Sequence, residues 1–175
     1  MDDAGNVSAP RKHFFLTVGD ALWALIGYNG ATVDEARRLS ASAWTERDLV
    51  TAQDVSGDGV TDFVYRSDAS GRLLLRKGAK DTTTGGVDVG SLASAAASSG
   101  GVDTEYGASG WGSSSIRLLF GTPDANGDGI PDIWTLRVDG TVRFYSGSRT
   151  ALSGSGTEII GNGDGIGWKN KLTVG

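Results

Sequence analysis

Short runs of branched, aliphatic and aromatic residues alternate with Gly-rich polar turns along most of the chain. Phe63-Val-Tyr-Arg66 is followed by a polar turn ending at Gly71, then by Arg72-Leu-Leu-Leu-Arg76. Ile133-Trp-Thr-Leu-Arg-Val138 is followed by Asp139-Gly140, then by Thr141-Val-Arg-Phe-Tyr145. Two β-rich runs joined by Asp-Gly or Ser-Gly read as a β-hairpin. Ala21-Leu-Trp-Ala-Leu-Ile26, Asp48-Leu-Val-Thr51, Ile116-Arg-Leu-Leu-Phe120 and Lys171-Leu-Thr-Val174 read as further strands. Two segments depart from the strand pattern. Thr32-Val-Asp-Glu35 is a capping box, and the pattern predicts a two-turn helix over Thr32–Leu39. Residues 79–110 read as a long Gly/Ser/Thr/Ala loop with a short helix over Gly90–Ser98. The expected class is all-β, with one or two short helices in insertions.

The runs repeat. Asp54-Val-Ser-Gly-Asp-Gly-Val-Thr-Asp62 returns 70 residues later as Asp124-Ala-Asn-Gly-Asp-Gly-Ile-Pro-Asp132, identical or similar at seven of nine positions. Each copy leads into a hairpin, ending at Gly78 and Gly147. A third, fainter copy of the hairpin begins at Asp20 and lacks an acidic loop before it. A Trp follows each hairpin, at Trp44, Trp111 and Trp168, and an apolar strand follows each Trp. Leu172-Thr-Val-Gly175 repeats Leu16-Thr-Val-Gly19. The chain therefore holds about three units of four strands and about 60 residues, a length that suits a propeller blade better than a sandwich or barrel unit. The expected domain covers 14–175, preceded by a flexible segment over 1–13.

Composition narrows the function classes. The formal charge is −5, against a nucleic-acid-binding surface. With no Cys and one His, disulfides, thiol catalysis, Cys-based zinc sites and multi-His metal sites are excluded. No apolar run reaches membrane-spanning length. Met1-Asp2-Asp3 has neither the basic start nor the apolar core of a signal peptide. His13, beside Arg11-Lys12, reads as a solvated surface residue.

The acidic loops carry the chemistry. In a tight turn, side chains at positions 1, 3, 5 and 9 converge while position 7 offers its carbonyl. The candidate ligands are Asp54, Ser56, Asp58, the Val60 carbonyl and Asp62 in the first loop. In the second they are Asp124, Asn126, Asp128, the Ile130 carbonyl and Asp132. All donors are oxygens, which suits Ca²⁺. Asp-Gly pairs are also good turns in their own right. Two such loops in register, with no Lys or Arg in either to balance three carboxylates, favour metal. Tyr65 and Thr135 stand where an EF-hand has its Glu, so these are strand-flanked loops. Asn162-Gly-Asp164-Gly165 lacks acids at positions 1 and 9 and reads as a plain turn.

Asp54–Asp62 and Asp124–Asp132, with the hairpins after them, resemble the FG-GAP/VCBS repeat family, the calcium-bearing blades also seen in integrin α-subunit propellers. The style is similar to C-terminal modules of large secreted bacterial proteins. The resemblance implies a β-propeller-type fold, Ca²⁺ in the loops, an extracellular location and a binding role. Three units fall short of an ordinary closed propeller of about four to eight blades. Further blades, another chain or a reduced variant would each complete it. The leading function is a non-catalytic, lectin-like carbohydrate-binding or cell-surface-targeting module, with Tyr106 and Trp111 in the long loop as ligand contacts. The alternative is a protein–protein interaction module of a secreted assembly such as an adhesin or toxin complex. Trp23 and Trp134, in hairpin strands, read as core. An enzyme is not expected, because metal spacing already accounts for the conspicuous carboxylates.

Overall fold

The structure, a computed structural model, describes residues 12–161. Within them the chain is all-β and forms four antiparallel sheets. The strands β1 (Lys12–Val18), β2 (Ala21–Tyr28) and β3 (Glu35–Ser40) make the first sheet in sequence order. The second is a four-stranded meander of β4 (Arg47–Gln53), β5 (Asp62–Ser67), β6 (Arg72–Arg76) and β9 (Thr104–Gly107). Between its last two strands lies a small two-stranded sheet of β7 (Ala79–Lys80) and β8 (Val87–Asp88). The third large sheet repeats the meander with β10 (Ile116–Thr122), β11 (Asp132–Arg137), β12 (Val142–Tyr145) and β13 (Thr157–Ile160). Among the described residues, hydrogen bonding joins no sheet into a closed barrel.

The three large sheets are layered, with the second in the middle. Strand alternation sends successive side chains of β5 and β6 to opposite faces. Phe63, Tyr65 and Leu74 join Leu22, Ala24 and Phe15 of the first sheet in one apolar cluster, with Trp44 between the layers. Val64, Leu73 and Leu75 join Ile116, Ile133 and Tyr145 of the third sheet in another, with Trp111 and Tyr106. Covered on both faces, β5 is buried from Asp62 to Arg66. Phe15 meets Phe63 edge to face at 4.8 Å across the first interface.

Several expectations change. Thr32–Leu39 is not a helix: β3 pairs with β2 from Ile26↔Glu35 to Leu22↔Ser40. A capping box stabilises by only about 1 kcal/mol, and a two-turn helix is marginal alone. The open edge of β2 offers a ladder instead, and Leu39 packs on the first core cluster. Thr32 is used in the turn, where its N–H donates to Asn29 Oδ1 at 2.9 Å. Over Gly90–Ser98 the chain forms two short 3-10 turns, Val89–Leu92 and Ala95–Ala97, capped by Asp88 and Ser94. The 79–110 segment is no plain loop, since it supplies β7, β8 and the fourth strand, β9. Strand β1 begins at Lys12, so Lys12 and His13 already belong to the folded sheet. Trp168, the 162–165 turn and the 171–174 strand lie outside the described residues.

Candidate functional site

Each acidic loop joins the first and second strands of a four-stranded sheet, β4 to β5 and β10 to β11. The position-1 carboxylates fold the loops onto themselves. Asp54 accepts from the N–H groups of Gly57 at 2.7 Å and Gly59 at 3.0 Å. Asp124 accepts from Gly127 at 2.7 Å, Asp128 at 3.0 Å and Gly129 at 2.7 Å. At position 5, Asp58 and Asp128 accept from the N–H two residues on, Val60 and Ile130, each at 2.9 Å. Asp128 is also held by the Asn126 amide at 3.0 Å and the Ser146 hydroxyl at 3.0 Å. The Asn126 bond leads the effects that keep its carboxyl below the usual range. Ser56 Oγ, at position 3 of the first loop, is buried without a well-formed hydrogen bond. Among the described residues, no three acidic or histidine side chains are already gathered around one point.

The position-9 carboxylates have a different place. Asp62 and Asp132 are fully buried, at 0% exposure each. Asp62 accepts from the N–H of Val55 at 3.1 Å and Ser56 at 2.7 Å, fastening the loop, and from Gly78 at 3.0 Å, fastening the far end of the hairpin. Burial pushes its pKa up. Asp132 fastens its own loop and hairpin by accepting from the N–H of Ala125 at 2.7 Å and Gly147 at 2.8 Å. Gly is required at both hairpin ends by the approach of backbone. A Cβ on Gly78 would lie 2.2 Å from the Thr61 carbonyl oxygen, and one on Gly147 would lie 2.1 Å from that of Pro131.

The third copy of the hairpin does not begin at Asp20 but is β1–β2, with Asp20 in its turn, and His13 completes the series. Gly27 closes the β1–β2 hairpin as Gly78 and Gly147 close theirs, and its N–H donates to His13 Nδ1 at 3.3 Å. An imidazole therefore stands where the other two sheets have a carboxylate. Accepting at Nδ1 requires the neutral ring, and partial burial pushes the pKa down, toward that form. The sequence expectation of a solvated His13 is corrected: the ring is half-buried and closes the hairpin. Trp44 and Trp111, after the first two hairpins, are also held in register. Trp44 N–H donates to the Asp20 carbonyl at 3.3 Å, and Trp111 N–H to the Gly71 carbonyl at 3.0 Å.

The two acidic loops lie side by side, bridged by a residue outside both. The Arg149 guanidinium donates to the carbonyls of Asp54 at 3.4 Å, Val55 at 3.3 Å and Gly129 at 2.9 Å. The cation that neither loop contains thus comes from the segment after β12. Its hydrogen bonds run to loop carbonyls, and its charge helps hold the Asp128 carboxyl below the usual range.

The two residues expected to touch a ligand are interior. Tyr106 is 1% exposed, and its hydroxyl both donates to and accepts from the Ser148 backbone, at 2.9 and 3.0 Å. Trp111 is buried and packs on Tyr145, ring centroids 4.8 Å apart. Neither has a ring face open for a sugar. Trp23 and Trp134 depart in the other direction. Expected in the core, they are half-buried and belong to neither core cluster. One interior charge cluster is a tie between strands. Arg76 is bidentate to Asp103 at 2.8 Å and donates to the Leu92 carbonyl at 3.0 Å. Tyr65 donates to Asp103 at 2.7 Å, and burial pushes its hydroxyl up to about 12.

No protein-family model matches the chain, nor does any curated protein or solved structure. The resemblance to FG-GAP/VCBS repeats therefore rests on the two loops and their hairpins alone.

Proposed function

We propose that this chain is a non-catalytic, calcium-stabilised module of propeller type, belonging to a secreted protein and acting by binding other protein surfaces. The observation that supports calcium most is the first loop: an all-oxygen donor set in which Ser56 Oγ is buried beside the Asp62 carboxylate without a well-formed hydrogen bond. Asp54, Ser56, Asp58, the Val60 carbonyl and the remaining lone pair of Asp62 would hold the ion there. Asp124, Asn126, Asp128, the Ile130 carbonyl and Asp132 would hold a second. The ion supplies charge neutralisation and a rigid entry to the second strand of each sheet. The interaction reading gains over the lectin reading because Tyr106 and Trp111 are interior while apolar sheet faces are not. Among the described residues, no helix is long and apolar enough to cross a membrane.

Melting curves in excess chelator, in Ca²⁺ and in Mg²⁺ test this. With extracellular-type affinities of about 10⁻⁴–10⁻³ M, about 10 mM Ca²⁺ adds about 2 kcal/mol per loop. The expected rise is about 5 °C or more, selective for Ca²⁺. Asp58→Ala and Asp128→Ala each remove part of that rise, and in chelator they lower the melting point by less, through the loop hydrogen bonds they lose. Identical curves in chelator and Ca²⁺ would reduce the loops to turns. Glycan-array binding by the folded chain would restore the lectin reading.

A further inference from the structure

The three large sheets stack by one rule, and among the described residues that rule leaves two apolar faces uncovered. The hairpin-closing bonds set the equivalence. His13, Asp62 and Asp132 accept from Gly27, Gly78 and Gly147. Counting from them, Phe14, Phe63 and Ile133 are one set of equivalent residues, and Phe15, Val64 and Trp134 are the next. At the first interface, Phe15 of the first sheet packs on Phe63 of the second. At the second interface, Val64 of the second sheet joins the same cluster as Ile133 of the third. Each interface therefore sets the Phe15-type face of one sheet against the Phe63-type face of the next.

Applied once more, the rule has a donor and an acceptor but no joint within the described chain. The third sheet's Phe15-type face carries Trp134, Phe144 and Phe120, half-buried and outside both core clusters. Trp134 and Phe144 stack edge to face there at 5.1 Å. The first sheet's Phe63-type face carries Phe14, Leu16, Trp23 and Leu25, also outside both clusters. Phe14 is 47% exposed. The two faces lie at opposite ends of the stack, with the second sheet between them. Apolar patches of this kind mark contact sites.

We infer that these faces join head to tail between two copies of the chain, the third sheet of each docking on the first sheet of the other. Two copies then close a ring of six sheets, all related by the interface the chain already uses twice. The contact that the rule specifies is Trp134 against Phe14 of the second copy. Closure of this type uses unlike patches, yet both joints become identical under a two-fold axis. This inference rests on the propeller-type reading above and not on the calcium sites.

The test is the mass in solution by sedimentation equilibrium, in chelator and in Ca²⁺, with circular dichroism confirming the fold of each variant. The parent should weigh twice the single chain. Phe14→Glu and Trp134→Glu should each give folded monomers. Mixed in equal amounts, they should form a pair again, because one joint of the mixed ring keeps both native faces. The absence of native cysteine provides a second route that does not depend on a charged variant folding. The double variant Phe14→Cys, Trp134→Cys should oxidise to a covalent dimer and no larger species. A folded parent that is monomeric at about 100 µM would overturn the inference and leave the faces to another polypeptide. A dimer that survives either Glu variant, or a cysteine ladder beyond the dimer, would also overturn it. Calcium stabilisation in a monomeric parent would leave the calcium reading standing while this one falls.

Discussion

Asp62→Ala should lower the stability of the chain by about 3 kcal/mol or more in chelator, with a further loss in Ca²⁺ because the ion loses a ligand. The carboxylate is fully buried and accepts from three backbone N–H groups, those of Val55, Ser56 and Gly78. Alanine supplies no acceptor, and each buried donor left unpaired costs about 1–3 kcal/mol. Asp132→Ala follows the same logic with two donors, Ala125 and Gly147, and a cost of about 2 kcal/mol. Urea unfolding in chelator measures both. The condition separates two roles within one loop. Asp58→Ala acts mainly through a bound ion and in chelator loses only its bond from the Val60 N–H, about 1 kcal/mol or less. Asp62→Ala acts through three buried backbone bonds present in either state. A loss below about 0.5 kcal/mol for Asp62→Ala would mean that the loop amides find water or other partners.

Gly147→Ala should be comparably damaging, at about 3 kcal/mol, and Gly78→Ala similar. The added carbon would stand 2.1 Å from the Pro131 carbonyl oxygen and 2.8 Å from Ile130 Cγ2. The obstacle is mostly backbone, so relief requires the loop to move away from the hairpin. That motion also pulls the Gly147 N–H from Asp132. Gly86→Ala is the control: its nearest neighbour would be Thr84 Oγ1 at 3.7 Å, an ordinary contact. Its thermal midpoint should stay near the parent's. Equal midpoints for Gly147→Ala and Gly86→Ala would show that the loop yields without cost.

Much of this arrangement is legible in the sequence, because repetition fixes what single segments leave ambiguous. The acidic loops, the hairpins after them and the strands after Trp44 and Trp111 all lie where the repeat puts them. What the repeat conceals is a role kept while the residue changes. His13 does for Gly27 what Asp62 does for Gly78, but nothing in the spelling of Lys-His-Phe-Phe resembles Thr-Asp-Phe-Val enough to announce it. The Thr32–Leu39 error has the opposite cause. A real local signal, Thr-x-x-Glu, lost to a neighbouring strand edge that only the folded chain presents. Arg149 is invisible for a third reason. It reaches the acidic loops from the segment after β12, remote in sequence from the first loop. The tryptophans divide by layer rather than by composition. Trp44 and Trp111 fall between sheets, and Trp23 and Trp134 fall on the outside of the stack.

The layering also orders how the molecule comes apart. The second sheet has an apolar neighbour on each face, whereas the first and third have one each within the described chain. Local opening follows the number of buried contacts that must be released. Amide protons of Phe63, Val64 and Tyr65 should therefore exchange with deuterated solvent only when the whole chain unfolds. Those of Glu35 to Arg38, on an exposed outer strand, should exchange through fraying alone. The central sheet is then the last unit to melt and the frame on which the outer two are hung.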